Sequence, residues 1–372
     1  MKIAIVCYPT HGGSGVVASE LALGLAERGH EIHIVSYATP FRLRSFSQNV
    51  FIHEVEVASY PLFKYPPYAL GLATTLADIH EQYNLDLIHA HYAVPHAASA
   101  FLAKQVLRTD KLKVITTLHG TDITLVGADT SFHRVIKFSI EESDGVTAVS
   151  RFLQQRTVKE FDIDRDIRVI HNFVDTKRQK NFGDCAKEKY APKGEKILMH
   201  ASNFRPVKRV SDVVRIFDRV RRETPAKLLL IGEGPERLFV KQLVKELNLT
   251  EQVWFLGQQD YIEHLLTCAD LFVLPTEQES FGLVALEAHA CGVPVVGAVT
   301  GGLPEVVKDG ETGFLLPVGE IALMTDKAVA LLTDEKMHAE FSKSARERAV
   351  TCFDRELIIP QYESYYEEIL GT

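Results

Sequence analysis

The feature that most narrows the fold is a recurrence. Short runs rich in Val, Ile and Leu, most without polar alternation, alternate along the chain with stretches of helical apolar spacing. The runs begin with KIAIV (2–6), EIHIV (31–35), IHEVEV (52–57), DLIHA (86–90), KVITTL (113–118), GVTAV (145–149) and IRVIH (167–171). They resume with KILMHA (196–201), AKLLLIG (226–232), VWFLG (253–257), DLFVLP (270–275), VPVVGA (293–298) and GFLL (313–316). Between them lie segments such as GVVASELALGLAERG (15–29) and VSDVVRIFDRVRRE (210–223). A strand that is apolar on both sides must be covered on both faces. This order therefore implies an α/β chain with parallel sheets between layers of helices.

The recurrence breaks once. Residues 171–195, HNFVDTKRQKNFGDCAKEKYAPKGE, are polar and lack apolar periodicity, and the strand–helix order then starts again. The expectation is two Rossmann-like doubly wound domains facing a central cleft, residues 1–171 and 172–353. The 372 residues suffice for two domains. The last stretch, 354–372, is expected to be helical and to pack back on the first domain, with a bend or break at Pro360.

Hydrophobic residues make up 46% of the chain, charged residues 24%, and the net charge is −8. That balance belongs to a soluble globular protein, and an acidic surface argues against nucleic acid as a partner. No run approaches the ~20 apolar residues of a membrane span, so no stable membrane association is expected. The opening apolar run is a strand, too short for the core of a signal peptide. Cys7, Cys185, Cys268, Cys291 and Cys352 lie far apart without a CxxC pair. They read as thiols in a reducing compartment, the cytoplasm, rather than metal ligands. Homo-oligomerisation is left open.

In doubly wound sheets, ligands sit beyond the carboxyl ends of the strands. The first such end reads CYPTHGGSGVVASEL, where Gly13, Gly15 and Ala18 fit G-x-G-x-x-G/A. A nicotinamide-dependent oxidoreductase would also need an acidic residue about twenty positions on. After IVSYATPF none occurs before Glu54. What remains is a helix start whose amides can approach an anion.

A second end, SNFRPVKRV (202–210), places Arg205, Lys208 and Arg209 before a helix. Taken alone it is a solvated basic turn, but opposed to another anion site it suits a diphosphate. A third, TEQESFGLVALEAHACG, begins a helix near Phe281 or Gly282. There the amides of Gly282, Leu283 and Val284 are helix N-terminal donors. Glu279 precedes that helix and Glu287 falls in its second turn. A carboxylate beside a diphosphate is tolerable if it accepts hydrogen bonds from hydroxyls, and a nucleotide sugar offers these on both sides of its phosphates.

Glu279 and Glu287 match the E-x7-E signature, and the chain resembles the retaining glycosyltransferases of GT-B architecture (glycosyltransferase family 4). VVGAVTGGLPEVVKDGETGFLLPVGE (295–320) and the lysine of SNFRPVKRV extend the likeness over nearly the whole chain. The first half is similar to the branch of that family that opens bacillithiol biosynthesis. The segments carrying this are CYPTHGGSGVVASELA, YPPYAL, DLIHAHYAVPHA and TTLHGTDITLVGAD.

The resemblance implies that UDP-N-acetylglucosamine gives its sugar to the hydroxyl of L-malate with retained configuration. It implies no cofactor and no metal, the nucleotide sugar being a substrate. It makes residues 1–171 the acceptor domain and 172–353 the donor domain. It gives catalytic parts to His119, Lys208 and Glu279, the lysine meeting the diphosphate and Glu279 the sugar hydroxyls. Donor contacts fall to Gly13, Gly15, Phe281, Gly282, Leu283, Val284 and Glu287, the last on the ribose. The family often carries an arginine where this chain has Asn203, so Arg205 or Arg209 must supply the second cation.

A pocket for malate needs donors and a cation. Ser14, Tyr92 and Thr121 are candidate donors, and Arg134 and Lys137 candidate cations. His89, His91 and His96 cluster at another strand end, but HxH on a strand brings no third metal ligand. Three other readings share parts of the pattern: an inositol phosphate or lipid acceptor, the oxidoreductase, and a non-catalytic sensor of nucleotide sugars.

Overall fold

The computed structural model describes residues 1–10, 12–43, 46–57, 61–126, 129–180 and 187–371. Cys185 and part of the polar break lie outside them. The chain forms two compact units, Met1–Asn172 with Glu356–Thr372, and Phe173–Arg355.

The first unit is built on a parallel sheet of β1 (Lys2–Val6), β2 (Glu31–Ser36), β3 (Val50–Glu54), β4 (Leu87–His91), β5 (Lys113–Leu118), β6 (Gly145–Ala148) and β7 (Arg168–Val169). The strand order is β3-β2-β1-β4-β5-β6-β7. Ile3, Ala4, Ile5 and Val6 are all fully buried, as a central strand covered on both faces requires. The second unit repeats the plan with β8 (Lys196–Ala201), β9 (Ala226–Ile231), β10 (Val253–Gly257), β11 (Leu271–Leu274), β12 (Val295–Ala298) and β13 (Gly313–Leu316). Their order is β10-β9-β8-β11-β12-β13, again parallel. Its core joins Leu198, Leu228, Leu230 and Val273 to Val213, Ile216 and Phe217 of the helix Val210–Glu223.

Both sheets reverse winding direction next to their first strand, between β1 and β4 and between β8 and β11. Such a switch point opens a crevice where two loops leave in opposite directions, and ligands of open α/β sheets bind there.

Three elements depart from the sequence expectation. Strand β3 begins at Val50, earlier than the IHEVEV run, because Val50 to Glu54 pair with Ile32 to Ser36 at the sheet edge. Strand β7 is only Arg168–Val169. Pro360 does not break its helix, which runs unbroken over Arg355–Leu370. The missing amide would have bonded the carbonyl of Glu356, in the first turn, so little of the ladder is lost. Ile358, Ile359, Tyr362, Tyr365 and Tyr366 are buried and hold the helix in place. In the first unit the Tyr365 hydroxyl accepts from the Val146 amide at 3.0 Å, and the Tyr366 hydroxyl lies 2.7 Å from His89 Nδ1.

Candidate functional site

The switch point of the second unit is where the basic and acidic loops meet. The loop after β8 and the loop after β11 are stitched by their backbones: the Glu277 amide donates to the Val207 carbonyl at 2.8 Å. The Thr276 hydroxyl donates to the same carbonyl at 3.1 Å. Side chains continue the seam. Lys208 Nζ donates to Glu279 Oε2 at 2.7 Å, and both are only partly exposed. Arg209 is held by Glu277 at 2.6 Å and by Asp212 at 2.6 Å. Arg205 is exposed, so of the two arginines it alone keeps its guanidinium outside these pairs.

A third loop props the acidic one from behind. Gly301, at φ +56°, lies so close that an added Cβ would stand 1.8 Å from the Glu279 carbonyl oxygen. At Gly302 the corresponding distance to the Ser280 oxygen is 2.3 Å, and its amide bonds the Glu279 carbonyl at 2.8 Å. The TGGLP stretch thus fixes the backbone that carries Glu279. Its sequence signal, paired glycines directly before a helix, was visible without any function attached to it.

Gly282 caps the helix Leu283–Ala290 at φ +97°, a left-handed conformation that favours glycine. Leu283 and Val284 are half-buried at its first turn, and Glu287 is buried in its second. Phe281 is fully buried edge-on to Phe353, 5.7 Å between centroids, and so anchors the loop.

The switch point of the first unit is also bridged. Tyr92, just past β4, donates its hydroxyl to Ser14 Oγ at 2.8 Å, in the first turn of the helix Gly13–Glu27. Burial raises the Tyr92 hydroxyl to about 12, so it stays a donor. Its backbone sits at φ +100°, ψ 141°, a conformation costing roughly 1–3 kcal/mol and concentrated at functional sites. Gly13 is exposed, whereas Gly15 is buried: a Cβ there would meet the Thr10 oxygen at 2.4 Å. The need for glycine at 15 therefore comes from close packing of its own loop.

His119 leaves the end of β5 half-buried. Its Nε2 lies 2.8 Å from His91 Nδ1, with the rings stacked at 5.0 Å. Burial pushes His119 to about 3, so the ring is neutral near pH 7. Asp122 accepts from the Gly120 amide at 2.9 Å and the Ala93 amide at 3.3 Å, tying the loops after β4 and β5 together. Burial raises Asp122 to about 6 against the pull of those bonds.

Thr121, though exposed, hydrogen-bonds the Tyr92 hydroxyl and so joins Ser14 at the Tyr92 bridge. The two candidate cations lie apart from it, and Arg134 is exposed. Lys137 donates to the carbonyls of Phe161 and Asp162 at 2.9 and 2.8 Å, closing the end of the helix Arg151–Phe161. That occupation accounts for it structurally. Among the described residues there is no group of three or more His, Cys, Asp or Glu side chains that could hold a metal, and no helix long and apolar enough to cross a membrane.

Two family models divide the chain. Residues 11–178 match Glycosyltransferase Family 4 and residues 184–348 match Glycosyl transferases group 1. N-acetyl-alpha-D-glucosaminyl L-malate synthase of Bacillus anthracis is 48% identical over 372 residues, covering 100% of this chain and 97% of the relative. The chain belongs to the GT-B glycosyltransferases. The glycosyltransferase is also 29% identical over 352 residues to the D-inositol 3-phosphate glycosyltransferase of Nocardia farcinica, covering 87% and 77% of the two chains. Its fold matches sucrose-phosphate synthase from Thermosynechococcus elongatus with a TM-score of 0.85 at 23% identity, over 100% and 99% of the chains. It matches Anabaena HepE, solved with UDP and glucose, with a TM-score of 0.82 at 22% identity, over 98% and 99%.

Proposed function

We propose that this glycosyltransferase moves N-acetylglucosamine from UDP-N-acetylglucosamine to the hydroxyl of L-malate with retention, in the cytoplasm, as the first step of bacillithiol biosynthesis. The observation that carries the donor half is the Lys208–Glu279 pair at a switch point, beside the helix capped by Gly282. The full-length likeness to a malate synthase supports the acceptor.

In this reading Lys208 and Arg205 take the diphosphate together with the amides of Gly282, Leu283 and Val284. Arg209 holds the acidic loop through Glu277 instead. Glu287 accepts from the ribose diol and Glu279 from the sugar hydroxyls. Gly13 and Gly15 offer amides to the phosphates, and His119 meets the sugar near the reacting carbon. Ser14, Tyr92, Thr121 and Arg134 serve the acceptor.

The malate hydroxyl oxygen bonds the anomeric carbon on the face from which UDP departs. The bond from that carbon to the β-phosphate oxygen breaks, and the hydroxyl proton passes to the departing oxygen. Preorganised cations and amides aimed at the growing charge supply the rate enhancement.

The test is incubation with UDP-N-acetylglucosamine and a panel of acceptors, read by mass spectrometry with the anomer assigned by NMR. UDP release and an α-linked malate product are expected. Turnover with inositol phosphate but not malate would move the acceptor assignment, and no UDP release with any acceptor would leave a nucleotide-sugar binder.

A further inference from the structure

The contact between His91 and His119 joins two ring nitrogens, so one must donate and the other accept. Both rings are neutral, since burial holds His91 well below its usual range and His119 at about 3. A neutral imidazole carries a single ring proton, and the other nitrogen of His91 decides where it lies. His91 is fully buried, and its Nε2 has no hydrogen-bond partner.

Were His119 the donor, His91 would carry its own proton on Nε2, as a buried N–H without an acceptor. Orphaned donors are rarer and costlier than unused acceptors. If His91 donates from Nδ1 instead, Nε2 is left with only an unused lone pair. Neighbouring His96 follows the same arrangement, its Nδ1 facing the His91 carbonyl and its buried Nε2 unpartnered. A carbonyl can only accept, so His96 carries its proton on Nδ1 too.

We propose that His91 is a positioning residue: it donates its Nδ1 proton to Nε2 of His119 and thereby fixes His119 as the tautomer protonated on Nδ1. The surroundings of His91 hold it in that state. Its ring packs 4.4 Å from that of His89, itself bonded to Thr117 at 2.6 Å and Tyr366 at 2.7 Å. His119 then offers a neutral N–H donor from Nδ1 and cannot act as a base through Nε2. That consequence for the sugar rests on the donor reading above, whereas the tautomer does not.

The experiment is a long-range proton–nitrogen correlation spectrum of the full chain with 15N-labelled histidine, His119 assigned by its loss in His119→Gln. The expected spectrum has a protonated Nδ1 and an unprotonated Nε2 for His119; protonated Nε2 overturns the proposal whatever the activity. His91→Asn keeps a donor close to the Nδ1 position and is expected to retain that pattern with kcat within about threefold. His91→Leu removes the donor and is expected to lower kcat about 3–10-fold with KM little changed, the worth of one hydrogen bond. Equal losses in the Asn and Leu variants would make His91 a packing residue and also overturn the proposal. If the wild-type spectrum is as expected but His119→Gln turns over normally, the donor reading of His119 fails and the tautomer assignment stands.

Discussion

Lys208 Nζ lies 2.7 Å from Glu279 Oε2, joining the two loops that leave opposite sides of the β8–β11 switch point. Partly exposed pairs of this kind contribute little to folding, about 1 kcal/mol or less. In the proposed function the pair holds a cation and an acceptor ready for one ligand. Lys208→Ala should therefore shift the unfolding midpoint only slightly while lowering kcat by about 10²–10³. It also leaves the Glu279 carboxylate without its counter-ion, which on the proposed function would repel the diphosphate. Calorimetry should find UDP binding weaker in Lys208→Ala than in Lys208→Ala combined with Glu279→Gln. Equal affinities in the two variants would show that the pair does not act at the phosphates.

The glycines behind Glu279 give a second test. At Gly301 an added Cβ would overlap the Glu279 carbonyl, whereas at Gly310, with φ +75°, nothing lies within 4 Å. Both alanine variants pay the left-handed backbone cost, roughly 1–2 kcal/mol, but only Gly301→Ala must also displace the loop. Urea titration should find it the less stable of the two, and it alone should lose most of its activity. Similar behaviour of both variants would mean that the Glu279 backbone has room to move.

The central strands were legible because each is a run of apolar residues that only a doubly covered sheet can bury, whereas the edge strands β3 and β7, exposed or short, were misplaced. The helix start between Glu279 and Glu287 was legible because Gly282 follows a strand and precedes an apolar run. The contacts between separate loops were not. Lys208 and Glu279 are 71 positions apart, and only the order of β8 and β11 brings them together. His91 and His119 are 28 apart and meet because β4 and β5 are neighbours in parallel register, His91 opposite Thr117. Gly15 matched a nucleotide-binding pattern whose spacing alone cannot distinguish approach to a phosphate from approach to the Thr10 carbonyl. Pro360 follows from position as well: near a helix start its missing amide matters little.

The buried histidines predict how stability responds to pH. Burial depresses His89 and His119 to about 3 and His96 to about 4, with His91 also well below its usual value. Each titrates near 6.5 when unfolded. Between those values the unfolded chain binds protons that the folded one does not. Stability is therefore full above about pH 6.5 and falls as the pH is lowered. Asp122, raised to about 6, works in the opposite sense between its unfolded value and 6, offsetting one proton. Net uptake should still exceed one proton on unfolding near pH 5. Urea titrations at pH 7, 6 and 5 should then show a slope steeper than about 1.4 kcal/mol per pH unit at the acid end. A flat profile would mean that these rings are charged or solvated in the folded state.

The C-terminal helix Arg355–Leu370 makes the last case. From Glu356 onward it belongs to the first compact unit although all of the second precedes it. Tyr362, Tyr365 and Tyr366 are each no more than 4% exposed, and the Tyr366 hydroxyl satisfies His89 Nδ1. An aromatic side chain buries about 150–250 Å² at about 25 cal/mol per Å², so removing all three forfeits on the order of 10 kcal/mol. Total domain stability is typically only about 5–15 kcal/mol. A chain ending at Arg355 should thus lose the cooperative unfolding of the first unit and keep that of the second, as calorimetry would show. Tyr366→Phe is the milder version: it keeps the ring but leaves His89 short of one partner, at a cost of about 1–3 kcal/mol. A truncated chain with both transitions intact would show that the helix decorates the first unit and does not complete its core.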